Sequence, residues 1–263
     1  MKTIPDRLLQ SAACSRRFLE ADSLIKIYRF ILSRQNPDGG FRGRGAESDL
    51  YYTVFAVAGL KAINYPIPVF KVWKYTRSFG MGKDLDLVHL VCLFRLRAAF
   101  SMLGITRRRF LKQLEKHRDQ STYGLFLKLL AEEGLAQDDP VHVAPDAPTT
   151  QLAAAMLVTH RNAKATADAV MGRFVASGGF VPTDGIAVPD LLSTATALFA
   201  LVDAGVKLDA IQQPCFKYAE SLWRDSGGFA GHAADEFEDV EYTFYALLTI
   251  GSLIQSMAKN YGS

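Results

Sequence analysis

Cysteine is scarce in this chain: three residues in 263, Cys14, Cys92 and Cys215, with no two at CxxC spacing. That excludes a dense disulfide framework and a zinc cluster built from sequence-near thiolates. Long apolar runs are missing as well, so no segment reads as a membrane span. The N-terminal MKTIPDRLLQSAACSRRFLEADSL alternates charge with apolar residues and lacks a small-residue cleavage site. It is not expected to act as a secretory leader, and a cytoplasmic location is the expectation. Nucleophile signatures, P-loops, dinucleotide fingerprints and H-E-x-x-H are all absent.

A strong charge of one sign is lacking too, the net being +3. The charge is uneven, however. Arg95, Arg97, Arg107, Arg108, Arg109, Lys112, Lys116 and Arg118 stand against the single acid Glu115. Such a segment attracts an anion, an acidic partner or a phospholipid surface. Few aromatics interleave with it, so nucleic acid is not an expected partner, and a solvated helix face is the simpler reading.

What the chain has is apolar content, 49%, and repetition. That content can bury a sizeable core, read here as one domain over residues 1–263. Gly-Gly-Phe occurs three times, at Gly39-Gly40-Phe41, Gly178-Gly179-Phe180 and Gly227-Gly228-Phe229. Each is followed by an aspartate opening an apolar run, at Asp49, Asp190 and Asp239. Asp146, and Asp86 in a less certain register, open similar runs without the glycines. Repetition at this interval predicts stacked supersecondary units.

Each unit reads as two helices. ADSLIKIYRFILSRQ places Leu24, Tyr28, Ile31 and Leu32 at helical spacing, as an amphipathic outer helix would. Gly-Gly is expected to end that helix as its C-cap, and the aspartate to N-cap an inner helix that is apolar nearly all round. The fold class expected is all-α, an α/α toroid of about five to six hairpins. Alternation gathers the inner N-termini at one mouth, which reads as a positive rim suited to phosphate. Tyr51, Tyr52, Phe55, Phe199, Tyr242 and Tyr245 are the aromatics expected to line the cavity below, although each also fits plain core. Residues 107–136 blur the pattern and read as a hairpin of different shape.

QNPDGGFRGRGAESDLYYTVFAVAGL resembles the repeats of protein prenyltransferase β subunits and of the wider prenyltransferase and squalene cyclase superfamily. The residues that carry this are Gln35, Asp38-Gly39-Gly40-Phe41, Gly43-Arg44, Asp49 and Tyr52-Thr53. Gln35, Gly39 and Phe41 also echo the QxxxGxW motif of squalene cyclases. The resemblance implies a prenyltransferase-like protein that takes an isoprenoid diphosphate or related lipid into a central aromatic cavity. Arg42, Arg44 and the tyrosines after the caps would hold the diphosphate, and Phe55 and Tyr245 would line the chain's path.

It also implies zinc, held in those enzymes by D-x-C-Y and D-x-Y-H-T motifs, which activates a thiol nucleophile. This chain departs from both. Asp239-Val240-Glu241-Tyr242 has Glu for Cys, and Asp49-Leu50-Tyr51-Tyr52-Thr53 has Tyr for His. If the ring closes, Asp239, Glu241 and Tyr52 approach one another as an all-oxygen set that suits magnesium better than zinc. No metal site is favoured, because a cap and a helix-start carboxylate explain the two acids alone. The acid motif of the cyclases, D-x-D-D, is incomplete at Asp84-Leu85-Asp86-Leu87. Three functions therefore stay open: a diverged prenyltransferase, a non-catalytic lipid- or terpenoid-binding toroid, and a scaffold for a protein partner.

Overall fold

The computed structural model describes residues 3–100, 104–117, 119, 121–131, 143–158 and 163–261. After a first helix, α1 (Ile4–Ala13), and a short 3-10 turn (Cys14–Arg17), the chain alternates outer and inner helices. The inner set is α3 (Leu50–Ile63), α5 (Leu87–Ala99), α7 (Thr122–Ala131), α8 (Thr149–Val158), α10 (Leu191–Asp203) and α12 (Val240–Tyr261). Each packs on the next in that order, and α12 packs back on α3, so the inner ring is closed. Outside lie α2 (Ala21–Ser33), α4 (Val69–Arg77), α6 (Gly104–Leu114), α9 (Ala163–Met171) and α11 (Gln212–Ser221). The fold is an all-α toroid, as the repeats predict.

Sequence dictates the two rings differently. Every position of α3 from Thr53 to Val57 is buried, as a helix flanked on all sides requires. In α2 only Ile27, Phe30 and Ile31 are buried, and the rest of that helix borders water. Aspartate caps start four of the inner helices: Asp49 accepts from the Tyr51 amide, Asp86 from His89, Asp190 from Ser193 and Asp239 from Tyr242. The Asp86 register is thereby settled. The helix α8 starts at Thr149, whose amide and hydroxyl donate to the carbonyls of Pro182 and Val181.

The glycine pair does not cap the outer helix. The C-cap of α2 is Arg34, in ordinary right-handed conformation, and Gly39 comes five residues later. Its positive φ of 98° serves a close approach instead: a Cβ there would stand 2.2 Å from the Lys71 carbonyl oxygen of α4. Gly178 meets Pro214 of α11 at 2.3 Å, and Gly227 meets Lys26 of α2 at 2.3 Å. The second glycine of each pair faces the aromatic one turn further along the same outer helix, Tyr75, Tyr218 or Phe30. The third contact joins the last repeat to the first and closes the outer ring.

Phenylalanine then turns inward. Phe41, Phe180 and Phe229 are buried, and their amides donate to the hydroxyls of Thr53, Thr194 and Thr243. Each threonine donates in turn to the carbonyl of its capping aspartate. Phe229–Ala230 (β1) and Glu238–Asp239 (β2) pair antiparallel, and isolated bridges repeat this at Phe41 with Asp49 and Phe180 with Asp190.

At the far end α1 packs on α12, α3 and α7. A buried Ser11–Ser252 hydrogen bond of 2.9 Å joins it to α12, and Gly251 leaves room for the Ser11 carbonyl, which a Cβ would meet at 1.9 Å. The expected 107–136 hairpin appears as α6 and α7, with residues 132–136 outside the described residues. Among the described residues, no helix is long and apolar enough to cross a membrane.

Replacing Gly227 by alanine forces a positive φ on a residue with a Cβ and drives that atom into Lys26. A loss of about 3 kcal/mol or more is expected in urea unfolding. Gly45→Ala, with nothing within 4 Å of its Cβ, should stay within about 0.5 kcal/mol of the parent. Equal effects would contradict the docking role of the glycine pair.

Candidate functional site

The inner N-termini do gather at one mouth, but four of them each spend a first-turn amide on their own capping aspartate, and the rim carries those carboxylates. Asp49 Oδ2 meets His89 Nε2 at 3.1 Å, and His89 Nδ1 meets Asp86 at 2.9 Å, so one imidazole sits between two acids. Asp86 and Asp49 outweigh the effect of burial and hold the His89 pKa above its ordinary value. Across the ring closure, Arg44 pairs with Asp235 and, at 3.3 Å, with Asp239. The same guanidinium lies over the Tyr242 ring, 5.5 Å from its centroid. A rim built this way is not the positive one that the helix poles alone predict.

Beside that pair, Tyr51 donates a 2.5 Å hydrogen bond to Glu241 Oε1. Burial, opposed by that bond and reinforced by Asp239, pushes the Glu241 carboxyl up to about 7. Burial likewise raises Asp239 in spite of Arg44. Aromatic contacts lead inward from here: Tyr51 to Phe55 at 4.9 Å, then Phe55 to Tyr245 at 5.2 Å between ring centroids.

Two voids follow. The central one, about 80 Å3, is lined by all six inner helices and by Leu8 of α1; Phe55, Phe126, Phe199, Phe244 and Tyr245 supply its rings, and Arg95 its charge. The second, about 380 Å3, lies between α1 and the C-terminal halves of α3, α5 and α7. Leu8, Ala58, Arg95, Leu130 and Phe244 wall both, so the two voids adjoin, one at the α1 end and one at the centre of the ring.

The residues singled out in the sequence separate accordingly. Phe55, Phe199 and Tyr245 line the centre, and Tyr51 stands between them and the mouth. Tyr52 and Tyr242 stand over loop glycines: a Cβ on Gly43 would meet the Tyr52 ring at 2.3 Å, and one on Gly231 the Tyr242 ring at 2.6 Å. Arg44 is engaged by two aspartates, while Arg42 is half-buried in the same loop and bonds through its amide to the Arg34 carbonyl. Tyr51, rather than Tyr52, reaches Glu241.

Of the basic segment, Arg107, Arg108, Arg109, Lys112 and Lys116 are exposed on or just after α6, and Arg118 lies outside the described residues. Arg95 and Arg97 do not share that solvated face. Arg97 donates to the Thr76 carbonyl at 2.7 Å and lies over Phe110, and Arg95 faces the voids. A lone charge inside the apolar run DLVHLVCLFRL was the available signal for Arg95. Asp235 and Lys61 carried none, since their neighbours come from other repeats.

The zinc implied by the prenyltransferase resemblance can be tested against these donors. Asp239 is committed to Arg44 and to the Tyr242 amide, and Glu241 is a half-neutral carboxyl bonded to Tyr51. Neither is backed by a thiolate or a free imidazole, and the donors of Asp49 and His89 satisfy each other. Among the described residues no group of three His, Cys, Asp or Glu is placed to hold a metal ion. These described donors do not match the Asp, Cys and His set that the resemblance implies.

The buried Glu241 makes stability depend on pH with a defined sign. Its ordinary value of 4.5 is raised to about 7, so the folded state holds the proton longer and stability falls as pH rises between those values. The loss should be on the order of 2 kcal/mol after allowance for partial exposure. Glu241→Gln should flatten unfolding free energy over that window. For His89, raised from 6.5, the contribution is full below that value and lost above it, so His89→Gln should remove a separate, later decline. Unfolding curves across pH 4–9 that are unchanged in both variants would contradict the account.

Comparison with known proteins places these features. No curated protein gives a significant match. The sequence profile described as the prenyltransferase alpha-alpha toroid domain matches residues 17–94 and 147–260, which take in all three Gly-Gly-Phe repeats, α3, α8 and α10, nearly all of α12 and the first part of α5. The chain belongs to the prenyltransferase α/α toroid domain family.

Proposed function

We propose that this toroid is a prenyltransferase-like protein that binds an isoprenoid, free or as its diphosphate, inside its inner ring, without the zinc-activated thiol chemistry of the protein prenyltransferases. What supports the reading is the pair of adjoining voids, one at the α1 end and one at the aromatic centre, that share Leu8, Ala58, Leu130 and Phe244 as walls. The centre alone is below the roughly 300–1,000 Å3 of preformed ligand pockets, whereas the adjoining void falls within that range. A branched hydrocarbon chain lying through both meets leucine, alanine and phenylalanine along its length, and its burial drives uptake.

Lipid binding is the function this geometry supports without a catalytic group, and no residue is assigned a reacting role. A scaffold reading has one observation in its favour. On α4, Phe70 and Trp73 are 74% and 41% exposed and stack on each other, an arrangement that fits a protein partner on the outer face.

Titration with farnesol, followed by native mass spectrometry, should show one molecule per chain. Ala154→Leu, which fills the centre, should weaken uptake about tenfold, while Tyr242→Phe should leave it unchanged; thermal melting confirms that both are folded. Failure of the parent protein to take up farnesol would overturn the reading in favour of a scaffold.

A further inference from the structure

We infer that the void between α1 and the C-terminal ends of α3, α5 and α7 is an anion-binding site, in which Arg95 and Lys61 hold the phosphate or carboxylate head of an amphiphile whose chain lies in the apolar space beside them. The inference rests on the lipid-binding reading above and adds the position of the head, at the end of the ring opposite the mouth.

Three observations converge on it. Arg95 and Lys61 both line the larger void, and neither has a carboxylate within ion-pair distance among the described residues. The remaining walls are apolar apart from Thr3 and Asp6 at the rim, where Asp6 is exposed and engaged by the Thr3 hydroxyl at 2.7 Å in the capping box of α1. Burial and the neighbouring Arg95 charge hold the Lys61 pKa below its ordinary value, and burial does the same to Arg95. Two cations that repel each other, facing among the described residues only the exposed Asp6 at the rim, which acts on Lys61, are an incomplete arrangement. An anionic head supplies the missing charge.

The opposite end is the more acidic one. Arg44 is already paired twice, a cap carboxylate stands at the start of four of the inner helices, and Asp49, Asp86, Asp190, Asp239 and Glu241 would repel it. At the α1 end, by contrast, the carbonyl poles of α3, α5 and α7 are offset by the two cations. The guanidinium fork of Arg95 suits paired oxygens, and the ammonium of Lys61 acts as a point charge beside it. Arg95 also borders the central void, so a head held there leaves its chain free to run inward.

Isothermal titration of the parent protein with farnesyl diphosphate, farnesol and inorganic diphosphate separates head from chain. Farnesyl diphosphate should bind at least tenfold tighter than farnesol, and inorganic diphosphate more weakly than either. Arg95→Met and Lys61→Met should each bring farnesyl diphosphate to about the affinity of farnesol and leave farnesol itself unchanged. Lys61, at the rim, provides a variant that folds even if Arg95→Met does not, and circular dichroism checks both. If farnesol and its diphosphate bind equally, or if both variants keep the parent preference, the head site is overturned while lipid binding stands. If none of the three binds, the lipid reading falls and takes this site with it. A purely structural role of the cations predicts altered melting with the binding preference intact, which also overturns the proposal.

Discussion

The close approach of a glycine to a neighbouring helix is the constraint on which this architecture depends. In each Gly-Gly-Phe turn the first glycine lies against a backbone carbonyl of the next outer helix, and the second lies under an aromatic ring one helical turn further on. No side chain fits at either place. The phenylalanine amide is bound to a threonine of the following inner helix, so one tripeptide fastens three helices. Because Gly227 docks on α2, the same contact that spaces the repeats also ends the series as a circle.

A circle of this kind has two unlike ends. Where the inner helices begin, capping aspartates offset the amide poles, and pairs such as Arg44 with Asp239 and Tyr51 with Glu241 tie the last repeat to the first. Many polar groups there bond to one another, and these bonds help close the ring. Where the helices end, α1 lies across the opening on the small residues of α12, and two cations face apolar walls. Charge with no ion-pair partner among the described residues, beside apolar walls, is what an amphiphile would complement, and the proposed head site rests on that asymmetry.

Much of the fold was legible because its signals are local. An aspartate before an apolar run caps a helix wherever it occurs, and the run's uniform apolarity marks it as inner. The glycine pair was read as a C-cap because its true partner, Lys71 or Lys26, is remote in sequence and leaves no local trace. For the same reason the stacking of Tyr52 and Tyr242 over the loop glycines Gly43 and Gly231 left no sign in the sequence. Arg95 was counted with a solvated basic stretch since charge tallies ignore helix boundaries; α5 ends at Ala99, and Arg95 belongs to its inner face. The acidic loop partner of Arg44, Asp235, lies in the last repeat and becomes visible only once the ring is closed.

A crystal structure of the protein grown with farnesyl diphosphate tests the central claim most directly. The account predicts phosphate density within hydrogen-bonding distance of the Arg95 guanidinium, with the isoprenoid chain passing toward Phe55, Phe199 and Tyr245. Phosphate density at Arg44 and Tyr51, on the other side of the ring, would contradict it.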